Sequence, residues 1–300
     1  MLFEEDIPKF LRAGKIACKA LKYGLDIAEE GMPILELCEK IENYIRSLGG
    51  ELAFPCNISI NDVAAHYTAK VDDDLVIPKK AVVKIDVGVH IEGCIADTAG
   101  TKIFDLSLEP LVISVERALS EALKKFRPGQ RLDKIGAIIE KNIAEYGLKP
   151  ISNLTGHMIN KWTLHAGKIV PNIKCYYPEK IEKYEVYAIE PFSTNGEGKV
   201  IESSEAVIFR LTDKKPKDKE LRKTYKKLKS AFKSLPFCDR WVLNVSRKIF
   251  DTYNRLKSTK SIFRYPVLIE AGRGLVAQAE HTVIVLDRDI IVTTAEDSTP

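Results

Sequence analysis

Five residues of this chain have types and spacing that could do chemistry: Asp86, Asp97, His157, Glu190 and Glu280. Each lies in an apolar or glycine-bounded, strand-like segment, such as Glu190 in YEVYAIEPF and Glu280 in GLVAQAEHTVIV. An ionised carboxylate in apolar surroundings needs a compensating positive charge. Most of these acids have no Lys or Arg beside them in their strands. A pair of divalent cations supplies that charge, because an oxygen-rich donor set with one imidazole suits Mn, Fe, Co or Zn. The set therefore reads as a dinuclear metal site.

The segment AVVKIDVGVHIEGCIADTAGTKIF, residues 81 to 104, is β-branched and apolar, and is broken by Glu92-Gly93. It reads as a long hairpin. With Glu92 and Gly93 at the centre of the turn, Asp97 falls opposite Gly88 and Asp86 opposite Ala99. Both acids then share one face as diagonal neighbours, roughly 7 to 8 Å apart along the backbone, within reach of one metal pair. Two metals about 4 Å apart can hold a shared hydroxide and clamp a tetrahedral transition state.

His157 sits in LTGHMINKWTLHAG, where Gly156 lets backbone approach closely and the imidazole can serve as the single nitrogen ligand. His66 and His165 also occupy segments rich in small or polar residues. Neutral imidazoles there could orient a peptide and stabilise charge on its carbonyl. His90 and His281 sit in apolar strand patterns and read as structural residues.

The elements that must position these groups follow from periodicity. Residues 6 to 24 and 33 to 48 carry apolar side chains at three- and four-residue spacing, with Pro33 at a start and Gly49-Gly50 at a stop. Two more helices are expected over 108 to 126 and 131 to 147, separated by Arg127-Pro128-Gly129. Strands are expected near 183 to 190, 199 to 209, 275 to 287 and 289 to 294. Helices followed by antiparallel strands, twice over, predict an α+β fold with helices covering one face of a curved sheet.

The 300 residues carry a net charge of +4, which selects no partner. The charge is unevenly placed. Residues 210 to 260 hold 17 basic and 5 acidic side chains, and the helical patterns ELRKTYKKLKSAFKSL and DRWVLNVSRKIFDTYNRL make this stretch an insertion into the second strand-rich half. The six cysteines form no C-x-x-C pair, so neither a zinc ribbon nor a disulfide scaffold is expected and a reduced compartment fits. MLFEEDIPKF lacks the basic start and apolar stretch of a signal peptide. No apolar run approaches the ~18 residues that span a membrane. A cytoplasmic location and no membrane partner are the expectation.

Six segments in order, FPCNISINDVAAHYT, KIDVGVHIEGCIADTAGT, LTGHMINKWTLHAGK, YAIEPFSTNGEG, LPFCDRW and AQAEHTVIV, resemble the type II methionine aminopeptidases of archaea and eukaryotes. The resemblance covers nearly the whole chain. It implies the pita-bread (creatinase/aminopeptidase) fold, two pseudo-symmetric α/β halves around a curved antiparallel sheet. One catalytic domain spans residues 1–300 in this reading, with a helical insertion subdomain at 200–265. It also implies that Asp97 and Glu280 bridge two divalent metal ions (Co, Mn, Fe or Zn), with Asp86 completing one site and His157 and Glu190 the other. The bridging hydroxide attacks the first peptide bond, Glu190 shuttles the proton, and His66 and His165 bind substrate and stabilise the tetrahedral intermediate. The positions matching the methionine pocket are Phe54, Leu164, Phe192, Tyr265 and Leu268.

The implied activity is removal of initiator methionine from nascent polypeptide N-termini, before small second residues. A monomer is expected, and the charge cluster of the insertion offers a ribosome contact. A prolidase or X-Pro aminopeptidase shares the fold and ligand types, but usually carries an extra amino-terminal domain. A non-catalytic relative that binds ribosomes or RNA through the insertion is the reading from a different class. Two departures from the family pattern stand out. Ala279 occupies the place of a large aromatic, which loosens packing behind Glu280, and the loop MINKWT is more basic and less glycine-rich than usual.

Overall fold

The computed structural model describes residues 4–296, so residues 1–3 and 297–300 of the expected domain and amino-terminal stretch lie outside the described residues. The first two periodic segments form α1 (Ile7–Ile27) and α2 (Ile34–Ser47). Pro33 precedes α2 with φ −61°, and Gly49 follows it at φ +79°, a left-handed position that ends the helix without a Cβ clash. The strands β1 (Glu51–Ile60), β2 (Val63–Ala65), β3 (Val82–Ile91) and β4 (Cys94–Ile103) complete the first half.

The hairpin of β3 and β4 has the expected register, Asp86 opposite Ala99 and Gly88 opposite Asp97. Glu92 (φ +49°) and Gly93 (φ +87°) form its two-residue turn. Positive φ at both centres gives the turn whose twist matches the strands. Alternation along β3 then sorts its side chains. Val83, Ile85, Val87 and Val89 pack with Ile34, Leu37, Ile41 and Ile45 of α2, while Asp86 and Gly88 face the other way. Burying each large aliphatic side chain contributes about 1.5–3 kcal/mol.

The second half repeats the plan with α3 (Glu109–Lys125), α4 (Leu132–Ala144), β5 (Lys149–Pro150), β6 (Thr155–Ile159), β7 (Ile169–Pro171), β8 (Val186–Ile189), β9 (Phe192–Thr194) and β10 (Val200–Leu211). Next come α5 (Lys219–Phe232), β11 (Phe237–Cys238), α6 (Asp239–Val245) and α7 (Phe250–Lys257), then β12 (Ile262–Glu270), β13 (Val276–Gln278), β14 (His281–Val285) and β15 (Ile290–Val292). The helices α3 and α4 bury Val115, Leu119, Ile135 and Ile139 against Tyr187, Ile189, Val283 and Val285.

The sheets run β1-β3-β4, β11-β10-β12-β2, β13-β9-β5 and β15-β14-β8-β6-β7. The single strand expected over 275 to 287 is broken. Its chain leaves β9 after Gln278, and the Glu280 N–H bonds the Ala99 carbonyl of β4 at 2.9 Å before β14 joins β8. That break stitches the halves together at a metal-ligand candidate.

The helices of the basic stretch fall between Lys219 and Lys257, with β10 and β12 pairing on either side. They pack around their own core of Phe209, Leu228, Phe237 and Tyr253. A buried ion pair ties this unit to α2: Glu42 accepts from Arg240 Nη2 and Trp241 Nε1, each at 2.9 Å. Removing one partner of such a pair costs about 3–5 kcal/mol, because the other charge is left buried alone.

Candidate active site

The hairpin register delivers Asp86 and Asp97 to one face of the β3–β4 ribbon. His157 comes from the middle of β6, Glu190 lies just past the end of β8, and Glu280 stands in the break between β13 and β14. All five line one cavity of about 260 Å³. His157 Nε2 lies 3.6 Å from Asp97 Oδ2 and 3.6 Å from Glu190 Oε1. Donor atoms of Asp97, His157 and Glu280 all fall within 4.8 Å of one another.

Their electrostatics suit a cation. Burial raises Asp86 to about 7. Burial, and then the neighbouring carboxylates, push Asp97 and Glu280 well above the usual range, and burial together with Asp86 does the same to Glu190. Burial lowers His157 to about 4, leaving it neutral, the form that ligates metal. Asp86 Oδ1 and Asp97 Oδ1 are buried without a hydrogen-bond partner among the described residues. Lys168, the one Lys or Arg lining the cavity among the described residues, is engaged with Glu185 at 2.7 Å. Orphaned carboxylate oxygens around a neutral imidazole fit divalent cations.

His66 follows β2 at φ +66°, with Nδ1 3.2 Å from the Pro266 carbonyl oxygen. A carbonyl only accepts, so Nδ1 carries the proton and neutral His66 keeps Nε2 as an acceptor. Burial lowers its pKa. His165 is exposed and lines the cavity, 4.3 Å from the His157 ring and 6.3 Å from Tyr265. Enclosure by the walls, then His157, His66 and Arg210, drive its pKa down. His90 stacks edge-on to Trp162 and His281 Nδ1 meets Thr294 Oγ1 at 2.8 Å, both in the structural roles expected.

Of the pocket residues expected from sequence, Phe54, Leu164, Phe192 and Tyr265 line the cavity. Leu268 does not. It pairs with Ala65 of β2 and packs with Ala64, Ala65 and Phe192, of which Ala65 and Phe192 line the cavity. Two residues at the site were not anticipated. Gln278, 2 % exposed, donates from Nε2 to Glu280 Oε2 at 3.4 Å; an amide two positions before Glu280 was a legible signal. Asn57 also lines the cavity, and no periodic signal marks it.

Among the described residues, no helix is long and apolar enough to cross a membrane. Residues 9–285 match metallopeptidase family M24. The methionine aminopeptidase of Methanocaldococcus jannaschii is 40% identical over 292 residues, which is 97% of this chain and 99% of that protein. The one from Saccharolobus solfataricus is 41% identical over 299 residues, covering 97% and 98%. Among solved structures, a methionine aminopeptidase from Thermotoga maritima superposes with a TM-score of 0.72 at 18% identity, over 99% of this chain and 100% of that one. A prolidase from Pyrococcus furiosus gives 0.66 at 16% identity, over 99% of this chain and 66% of that one. These likenesses carry the pita-bread fold, and the matches along the sequence place the chain in its family: it is a member of metallopeptidase family M24.

Proposed function

We propose that this chain removes the N-terminal methionine from nascent polypeptides, preferring a small second residue. The carrying observation is an apolar wall of Phe54, Leu164 and Phe192 set beside the carboxylate–imidazole cluster, in a chain 40% identical to a methionine aminopeptidase over nearly its full length. The apolar wall suits an unbranched thioether side chain. Residues 1–300 act in this reading as one catalytic domain, with the insertion subdomain at 200–265.

In the same reading Asp97 and Glu280 would be shared by two divalent cations, with Asp86 completing one site and His157 and Glu190 the other. Supply selects among Co, Mn, Fe and Zn. When bound, the cations supply Lewis acidity that makes hydroxide available near neutral pH and polarises the scissile carbonyl. Glu190 carries the proton toward the leaving amine. His66 offers Nε2 as an acceptor to the peptide N–H, and His165, beside the mouth, donates toward the carbonyl oxygen as charge develops there. Tyr265 lies 5.6 Å from the His66 ring and 6.3 Å from the His165 ring, so it packs near both imidazoles.

Release of Met from Met-Ala-Ser, set against cleavage of an X-Pro peptide and read with metal content, tests this assignment. Activity on the X-Pro peptide alone sinks it and favours a prolidase. No cleavage of either peptide by metal-replete protein favours the non-catalytic relative.

Work on emerging chains in the cytoplasm fits six free cysteines and the basic face of α5. Lys219, Lys223, Lys226 and Lys227 are exposed there. A cationic face of this kind binds phosphate backbones electrostatically and so suits a ribosome contact. Reversal of Lys226 and Lys227 to Glu should weaken ribosome co-sedimentation at low salt; unchanged co-sedimentation removes this face from consideration.

A further inference from the structure

Asn57 has the geometry of a ligand-binding group, and nothing in the chemistry above uses it. It lies on β1, 4 % exposed, and lines the cavity. Its cross-strand partner on β3 is Asp86, so the two side chains stand side by side on one face. Asn57 Nδ2 donates to the Pro55 carbonyl at 2.9 Å. Since that carbonyl can only accept, the amide is fixed with its oxygen turned away from Pro55. The oxygen, Oδ1, is buried and has no hydrogen-bond partner among the described residues.

Backbone irregularity puts it there. Phe54 pairs with Gly88 and Asn57 with Asp86, three steps along β1 against two along β3, and the ladder shifts register between them. The extra residue is a β-bulge, which re-aims side chains beside a site. In a regular strand residues 54 and 57 would face opposite sides; here both line the cavity.

We propose that Asn57 Oδ1 accepts a hydrogen bond from the free N-terminal amine of the substrate. The inference rests on the aminopeptidase reading above. An amide oxygen can only accept a hydrogen bond, so a hydrogen-bonding partner must bring an N–H or O–H. A methionine side chain has no donor. The peptide N–H of the scissile bond is taken by His66 in the reading above. That leaves the amine, which is bonded to the same carbon as the side chain held by Phe54 and the carbonyl toward which His165 donates. Asn57 thereby helps select chains with an unblocked first residue, and holds the amine beside Asp86 without adding a fifth acid to the cluster.

The experiment pairs two probes, L-methionine amide and its desamino analogue 4-(methylthio)butanamide. Calorimetry measures both on protein replete with added Mn, for wild type and Asn57→Ala, so the comparison stands whether or not Met-Ala-Ser is cleaved. Wild type should prefer the amine-bearing probe, and Asn57→Ala should lose about 10- to 100-fold of that preference, as for a hydrogen bond to a charged group. Affinity for the desamino probe should change little. Equal weakening toward both probes, or no change toward either, overturns the proposal. Metal content and thermal unfolding accompany each variant. Asn57→Ser, which keeps a shorter acceptor, provides the same ratio if the alanine variant does not fold, and should lose less of the preference. A wild type that binds both probes equally overturns the proposal as well, whereas failure to cleave Met-Ala-Ser bears only on the function assignment.

Discussion

Thr282 clamps the backbone of Asp97 from the other half of the molecule. Its Oγ1 accepts from the Asp97 N–H at 2.8 Å and donates to the Asp97 carbonyl at 2.7 Å. One hydroxyl on β14 therefore fixes the backbone of a metal-ligand candidate on β4. Thr282→Val keeps the shape and removes both bonds, leaving two backbone groups unpaired in a dry site. Unfolding measurements should show a loss of about 2–4 kcal/mol, near the usual cost of two orphaned groups. Metal titration should show affinity down by about 10-fold or more, as when an outer-shell partner is lost. Wild-type metal affinity in this variant would show that Asp97 is positioned without the clamp.

His66 and Glu280 line the same cavity but separate binding from turnover. His66 makes its visible hydrogen bond to a backbone carbonyl, whereas Glu280 contributes to the closest donor cluster. His66→Ala should keep its metal and lose about 100-fold or more in kcat, the scale of a positioned acid–base or charge-stabilising group. Glu280→Ala should lose metal as well. Elemental analysis beside kinetics decides the matter, and a full metal complement in Glu280→Ala removes it from the bridging position.

Glu270 sets a pH dependence remote from the metal. Fully buried, it accepts the backbone N–H groups of Glu197, Gly198, Gly272 and Gly274 at 2.6 to 3.0 Å, and so pins the loops on either side of the β10–β12 pair. Burial alone would raise its pKa, but the four donors outweigh burial and hold it below the ordinary value of 4.5. An acid with a depressed folded pKa stabilises the protein above its unfolded pKa, and that stabilisation is lost as pH falls through the folded value. Glu270→Gln should therefore cost about 3 kcal/mol at pH 7. The gap from wild type should narrow as pH drops from about 5 toward 3. A gap in denaturant midpoint that stays constant over this range would show that charge contributes nothing there.

The site was legible in the sequence where a residue broke its surroundings. Asp86, Asp97 and Glu280 are acids in apolar strands, and the Glu92-Gly93 turn fixed the hairpin register without further information. Asn57 was hidden because its orientation comes from a bulge, and a period-two pattern cannot show one extra residue. Leu268, named by the resemblance alone, packs against the lining residues Ala65 and Phe192 without lining the cavity itself. The break at Ala279-Glu280 escaped the pattern because both flanking strands are apolar, and only the bond from Glu280 to Ala99 shows the chain changing sheets.

Ala279 stands where the resemblance led to the expectation of a large aromatic, and the structure shows what surrounds the alanine. A groove of about 730 Å³ runs between α1 and α3, walled by Leu21, Leu25, Leu119 and Leu123, with Ala99 and Ala279 also lining it. A phenylalanine at 279 would cover part of this apolar surface. Roughly 80 Å² removed from water at about 25 cal/mol per Å² gives about 2 kcal/mol, reduced by imperfect fit and lost side-chain freedom. The backbone should hold still, because Ala279 N–H bonds Pro191 at 3.3 Å and Glu280 N–H bonds Ala99 at 2.9 Å, pinning both sides of the substituted position. Ala279→Phe should therefore raise stability by about 1 kcal/mol, seen as a thermal midpoint a few degrees higher. Metal content and kcat/KM on Met-Ala-Ser should stay near wild type. A lower midpoint with metal retained would mean that the groove walls are too rigid to accept the ring. A lower midpoint with metal lost would mean that the two backbone bonds do not insulate Glu280 from its neighbour, and that the small residue at 279 is required for the carboxylate to reach the cavity.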